Sequence, residues 1–212
     1  DRVDVVQPVL FTMMVSLAEV LKRYGIVPDA VIGHSQGEIA AAYIAGVLSL
    51  PEAAKVVALR SQALSALGGT GAMASVLLSA DRVEPLLIPW AEELSIATVN
   101  GPSHTIISGT PAALEQFIAT CERDGIHIKP IAVDYASHSA QVEPVRERLL
   151  AELADLNPMP SNIPLYSTVG EALSDALDTG TMDADYWYRN LREPVRFHDR
   201  VVERLAAGEH TF

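Results

Sequence analysis

The chain has 212 residues, 49% hydrophobic and 20% charged, enough to bury a sizeable core and too apolar for disorder. Its formal charge of −12 excludes nucleic acid and anionic membrane as main partners, because both need a clustered positive field. A single cysteine rules out an internal disulfide and a thiolate zinc cluster, no metal site is read, and no run approaches about 18 uninterrupted apolar residues. The start, Asp1-Arg2-Val3-Asp4, has no signal-peptide pattern, so a soluble, cytoplasmic protein is expected.

In chain order, Pro8 marks a helix start, Val9, Leu10, Met13, Met14, Leu17, Val20 and Leu21 give it an apolar face, and Gly25 stops it. The run Asp29-Ala30-Val31-Ile32 predicts a strand, and Glu38 to Ala45 predicts a helix. Between them stands Gly33-His34-Ser35-Gln36-Gly37. Gly46 breaks the pattern, and Pro51 opens a further helix to about Leu67, closed by Gly68-Gly69. This order predicts an α/β core with a parallel sheet.

Residues 72–133 change rhythm. Strand Ala74 to Leu78, helix Ala80 to Glu93, strands Ser95 to Val99 and Thr105 to Ser108, helix Pro111 to Arg123 and strand Ile126 to Val133 make βαββαβ, the ferredoxin-like order. Thr110 caps the second of these helices and Cys121 lies on its apolar stripe, which assigns the thiol to packing. The expected organisation is a large subdomain from 1–71 and 134–212, with 72–133 inserted as a small one. The second part of the large subdomain holds a helix from Ser139 to about Leu156, a proline-rich turn, a strand at Leu165 to Ser167 and two more helices. Arg189, Arg192, Arg196, Arg200 and Arg204 bunch near its end and read as a solvated, salt-bridged helix face, or else a patch for phosphate or an acidic protein.

The chemistry starts at Ser35. A G-x-S-x-G between a strand and a helix is a nucleophile elbow, in which flanking glycines permit a strained turn and a close strand-to-helix approach. The turn leaves the hydroxyl at a helix N-terminus, where backbone N–H groups stabilise an oxyanion. Of six histidines, His138 is the candidate base, because it follows directly where the insert hands the chain back to the core. Arg60 shares a stripe with Val57 and Leu64, so its guanidinium needs a partner on a buried face: a structural carboxylate or the carboxylate of a substrate.

Taken together, the elbow, Arg60 in Leu59-Arg60-Ser61-Gln62, Tyr135-Ala136-Ser137-His138, and the segment from Tyr186-Trp187 through Asn190-Leu191-Arg192-Glu193-Pro194-Val195-Arg196-Phe197 resemble the acyltransferase domain of modular type I polyketide synthases. The resemblance covers the whole chain and implies an α/β-hydrolase-like core with a ferredoxin-like insert. It implies Ser35 as the acylated nucleophile, His138 as base, Arg60 as clamp for a free carboxylate, the Gln36 N–H as oxyanion donor, and Asn190 where a backbone carbonyl orients the histidine. His34 is left a local structural role.

The implied reaction is a ping-pong transfer from a CoA thioester to the phosphopantetheine thiol of an acyl carrier protein, with no bound cofactor and with ketosynthase and linker as neighbours in a longer chain. Tyr135, Ser137, Gln36 and the upstream Arg2-Val3-Asp4-Val5-Val6-Gln7 resemble the methylmalonyl-selecting class, in which a small Ser137 leaves room for an α-methyl group. Malonyl and ethylmalonyl units are the alternatives. The family opens with a strand and Gly-Gln-Gly turn whose glutamine completes the oxyanion hole, and runs beyond His210-Thr211-Phe212, so an internal fragment of a synthase, weakly active alone, is expected. Two other classes remain. A thioesterase would draw on Asp178 or Asp183 with His198 or His210, and a silent docking scaffold would lack the nucleophile, base or clamp.

Overall fold

The computed structural model describes residues 2–170 and 176–208. It is an α/β chain with a parallel and an antiparallel sheet, in the element order that the sequence predicts. Residues 2–65 with Val145–Leu191 form one compact unit, and Ala66–Pro144 with 192–208 form the other.

In the first unit, α1 (Val3–Arg23) begins five residues before Pro8, which sits inside it. A proline there forgoes one backbone bond, and the helix runs on because a stripe spaced four residues apart, Val3, Gln7, Phe11 and Val15, is buried on both sides of it. That stripe is not the apolar face expected from the sequence. Val9, Leu10, Met13, Leu17, Val20 and Leu21 are all exposed. The helix is apolar round most of its circumference, so periodicity could not choose the side that packs on α2 (Gly37–Ile44). By length and hydropathy α1 is also the one described helix able to cross a membrane, and 22% of its most apolar window is buried.

The parallel sheet is short. β1 (Val31–Ile32) pairs with β6 (Leu165–Tyr166), Val31 opposite Leu165 and Ile32 opposite Tyr166. α3 (Leu50–Ala66) starts with a capping box: Ser49 Oγ and Ser49 N–H donate to Glu52 Oε2, and Glu52 N–H donates to Ser49 Oγ.

In the second unit, β2 (Ala72–Val76), α4 (Ala80–Leu87), β3 (Leu94–Gly101), β4 (His104–Gly109), α5 (Pro111–Arg123) and β5 (Ile128–Ile131) realise the expected βαββαβ order. The sheet order β3-β4-β2-β5, antiparallel throughout, is the ferredoxin-like arrangement. The first helix is shorter than its apolar pattern suggests, turning 3-10 at Ile88–Trp90 around Pro89. Thr110 caps α5 through Ala113 N–H, and Cys121 lies in the core with Phe117 and Ile107, where burial pushes its thiol up to about 11.

Three segments assigned to the large subdomain on sequence grounds pack elsewhere. Residues 66–71, 134–144 and 192–208 join the second unit. Gly69 N–H and Gly71 N–H both donate to Asp134 O, while Val195 bridges β3 in parallel through Val99 N–H to Val195 O and Val195 N–H to Ala97 O, each 2.9 Å. α8 (Phe197–Ala206) then packs on β3. The helix expected from Ser139 is a 3-10 stretch, Ala140–Val145, interrupted by Pro144 before α6 (Arg146–Glu152).

The arginine cluster is salt-bridged as expected, through Arg192–Glu143, Arg196–Asp199, Arg200–Glu203 and Arg204–Glu203. It is not a solvated face throughout, because Arg200 and Arg204 are buried.

Candidate active site

Ser35, Gln36, Arg60 and Asn190 belong to the first unit, and Tyr135, Ser137 and His138 to the second. At the elbow, Gly37, Glu38 and Ile39 donate their N–H groups to the carbonyls three residues earlier, closing β1 into α2 in a tight turn. Ser35 takes φ +52°, a left-handed conformation costly for a residue with a side chain. Gly33 is dictated by space: a Cβ there would stand 2.2 Å from Glu38 Cα. Gly37 is not, since a Cβ there meets nothing within 4 Å, so only one of the two flanking glycines answers to the close approach expected of both. Gln36 is the N-cap residue of α2, which puts its N–H at the helix N-terminus, and its side-chain Oε1 is buried without a partner.

Arg60 projects from α3 and is 1% exposed. One guanidinium nitrogen donates to Ser35 Oγ at 2.9 Å and the other to Gln7 Oε1 at 2.8 Å. Both oxygens are neutral. Gln7 reaches this position because it lies on the buried stripe of α1. A polar residue spaced with Val3 and Phe11 on that stripe was the signal that could have singled it out.

Glu38 is fully buried beneath the elbow. Its carboxyl accepts from Thr168 N–H, Thr168 Oγ1 (2.9 Å), Tyr186 OH (2.7 Å) and Asn190 Nδ2 (2.9 Å). Burial pushes its pKa up, and those four donors oppose the shift. The Tyr186 phenol, buried beside Glu38, is held well above its ordinary value. Thr168 Oγ1 also lies 3.0 Å from Gly33 O, and Asn190 Nδ2 lies 3.2 Å from Ser35 O. Sequence reasoning passed over Glu38 because an acidic residue in a helix's first turn reads as ordinary dipole compensation.

In the second unit, His138 is 2% exposed and also left-handed, with φ +59°. Its Nδ1 is 2.8 Å from Glu193 O. A carbonyl only accepts, so Nδ1 carries the proton and Nε2 is the basic nitrogen. The orienting carbonyl is therefore that of Glu193, not that of Asn190 three residues earlier. Glu193 precedes Pro194, which biases it away from helix, and Val195 is pinned to β3, so this carbonyl is fixed by the strand-like segment after α7 (Ala184–Arg192). Asn190 lies inside α7, where its side chain serves Ser35 and Glu38 instead. Ser95 Oγ donates to His138 O at 3.3 Å.

Ser137 is buried with its hydroxyl 3.8 Å from Met73 Sδ, and Tyr135 packs against the cluster of Met73, Ala97 and Ile106. The acids proposed for a hydrolase triad are otherwise employed. Asp178 Oδ1 accepts from Gly180 N–H, and Asp183 Oδ1 accepts from Tyr186 N–H at the start of α7. His198 lies on α8, and His210 lies outside the described residues.

In the first unit, a strained serine on a strand-to-helix elbow with a buried arginine on its hydroxyl is an arrangement suited to an acyl-transferring class of protein. The profile of the "Acyl transferase domain" family matches residues 1–212, and the chain belongs to that family, as an acyltransferase domain of the modular polyketide synthase type. It is 51% identical over 212 residues to erythronolide synthase EryA2 of Saccharopolyspora erythraea, which covers all of this chain and 6% of that protein. Among solved structures, the acyltransferase domain from module 8 of the salinomycin polyketide synthase superposes with a TM-score of 0.93 at 52% identity, covering 98% of this chain and 48% of the other. The malonyl CoA-acyl carrier protein transacylase of Coxiella burnetii gives 0.91 at 26% identity, covering 98% and 67%. The chain thus spans a small part of the curated relatives it matches.

Proposed function

We propose that this domain loads a methylmalonyl extender unit from CoA onto the phosphopantetheine thiol of an acyl carrier protein, through an acyl-serine on Ser35. The observation that carries the reading is the buried Arg60 guanidinium 2.9 Å from Ser35 Oγ. A malonyl-type acyl group bears its carboxylate and its thioester carbonyl on one carbon atom. A carboxylate gripped by Arg60 therefore brings the carbonyl to the neighbouring hydroxyl, and an uncharged acyl chain gives Arg60 nothing to hold.

In the first half-reaction, His138 Nε2 takes the Ser35 proton as Oγ bonds to the carbonyl carbon, and the Gln36 N–H donates to the developing oxyanion. The carbon–sulfur bond breaks and the proton passes to the departing CoA sulfur. In the second, the carrier's thiol gives its proton to His138, sulfur bonds to the acyl carbon, and Ser35 leaves with the proton returned. No oxidation state changes, so the transfer calls for no resident cofactor. The buried, partnerless Gln36 Oε1 is an acceptor for a substrate N–H group, and in this reading the small side chain of Ser137 leaves room for an α-methyl branch. One methylene in such a pocket is worth about 1–3 kcal/mol of discrimination. Ketosynthase and linker as chain neighbours, and a cytoplasmic location, belong to the same reading.

The test is intact mass of the full-length protein after exposure to equal malonyl-CoA and methylmalonyl-CoA, beside Ser35→Ala. A methylmalonyl adduct absent from the variant is expected. A dominant malonyl or ethylmalonyl adduct overturns the extender choice, and an adduct on Ser35→Ala overturns the nucleophile.

A further inference from the structure

We propose that Glu38 is a positioning residue for acyl transfer, acting through Asn190 to aim the oxyanion donor; the inference rests on the reading of Ser35 as nucleophile. Asn190 Nδ2 faces two acceptors at once, Glu38 Oε2 at 2.9 Å and Ser35 O at 3.2 Å. Only the amide nitrogen can meet both, so the side chain has one orientation. The peptide joining Ser35 to Gln36 is planar, which makes the direction of the Ser35 carbonyl and that of the Gln36 N–H one variable. Holding the carbonyl from below therefore points the N–H on the opposite side. Glu38 N–H adds a second bond to Ser35 O at 3.0 Å.

The carboxyl group suits this task better than an amide of the same shape. Its partners include the N–H of Thr168, the hydroxyl of Tyr186 and the amide of Asn190, donors that arrive at both oxygens. In Glu38→Gln, Thr168 N–H requires the amide oxygen on its side, which turns the new NH2 group toward Asn190 Nδ2. If Asn190 rotates to receive it, Oδ1 is driven against Ser35 O. Either way the tie from carboxyl group to elbow carbonyl is lost, while the Arg60–Gln7 clamp is untouched.

The experiment measures single-turnover acylation of Ser35 by methylmalonyl-CoA in the full-length protein, for wild type, Glu38→Gln, Asn190→Ala and the double variant. Rate constant, amplitude and half-saturating thioester concentration are read separately. Removing an oxyanion donor outright costs about 100- to 1000-fold, so a misaimed one is expected to slow acylation about 10- to 100-fold. Amplitude and half-saturation should stay at wild-type values, and the double variant should be no slower than the slower single.

A wild-type rate constant with reduced amplitude assigns Glu38 to folding alone and overturns the proposal, as does a double variant whose losses multiply. If Glu38→Gln is insoluble, Glu38→Asp takes its place in the cycle with the same criteria. A wild-type protein that takes no acyl group on Ser35 overturns the function itself, and this inference with it.

Discussion

Substituting alanine at the two glycines of the elbow should have opposite effects, although the change is chemically identical. At position 33 the new Cβ would lie 2.2 Å from Glu38 Cα and 2.3 Å from Glu38 N. Carbon atoms in contact stand about 3.5–4.0 Å apart, so the overlap exceeds 1 Å, and no rotamer relieves it because both atoms are backbone. The turn must open, which pulls Glu38 from its four donors and Thr168 from Gly33 O. Such a clash with a broken buried network belongs in the tail of point substitutions, above about 4 kcal/mol. At position 37 the Cβ enters open space on the first residue of α2, where alanine gains up to about 1 kcal/mol over glycine. Denaturant unfolding of both variants beside wild type measures the two directly. A Gly33→Ala protein within about 1 kcal/mol of wild type, or a Gly37→Ala protein as unstable as Gly33→Ala, refutes this account of the elbow.

Gln7→Leu removes the oxygen that accepts from Arg60; about 1–3 kcal/mol of stability should be lost, and the half-saturating concentration of the acyl-CoA should rise because the clamp is no longer held in place. Unfolding and acylation kinetics on one preparation check both. Ser137→Phe should keep malonyl transfer and lower methylmalonyl transfer about 10- to 200-fold, read as the ratio of the two adducts in a competition. Hydrogen bonds from Ser49 lower the Glu52 pKa below its ordinary 4.5, so its contribution to stability is present above that value and is lost as the pH falls through the folded one. Glu52→Gln should therefore be less stable than wild type at neutral pH and lose less on acidification below about 4.5, which parallel unfolding at several pH values will show.

Much of the fold was legible in the sequence because its signals were local. The ferredoxin-like order could be written from strand and helix runs separated by turn residues, and Thr110 could be named as a cap because capping acts over three residues. Where two answers were locally equivalent, sequence gave the wrong one. The apolar circumference of α1 offered several faces, and the buried one carries Gln7 rather than the richer row through Met13 and Leu17. Asn190 and Glu193 stand three residues apart in a single motif, and only the helix end after Arg192 separates the one that lends a side chain from the one that lends a carbonyl. Glu38 was invisible as a buried acid, since its donors come from Thr168, Tyr186 and Asn190, more than a hundred residues away.

The non-glycine residues with positive φ among those described are Ser35 and His138. Each such residue costs about 1–3 kcal/mol and persists only where its surroundings over-determine it. For Ser35 the surroundings are the carboxyl group of Glu38, the amide of Asn190 and the missing Cβ of Gly33. For His138 they are the Glu193 carbonyl on its ring and the Ser95 hydroxyl on its own carbonyl. The nucleophile motif announces its strain through its glycines. The histidine has no glycine beside it, so its strain was unreadable until the strand that fixes Val195 and the serine on β3 were in place. That the same backbone distortion falls on the two residues chosen for their chemistry is an argument independent of family resemblance: each is held in a conformation that packing alone would avoid, which is the condition expected where geometry serves a reaction.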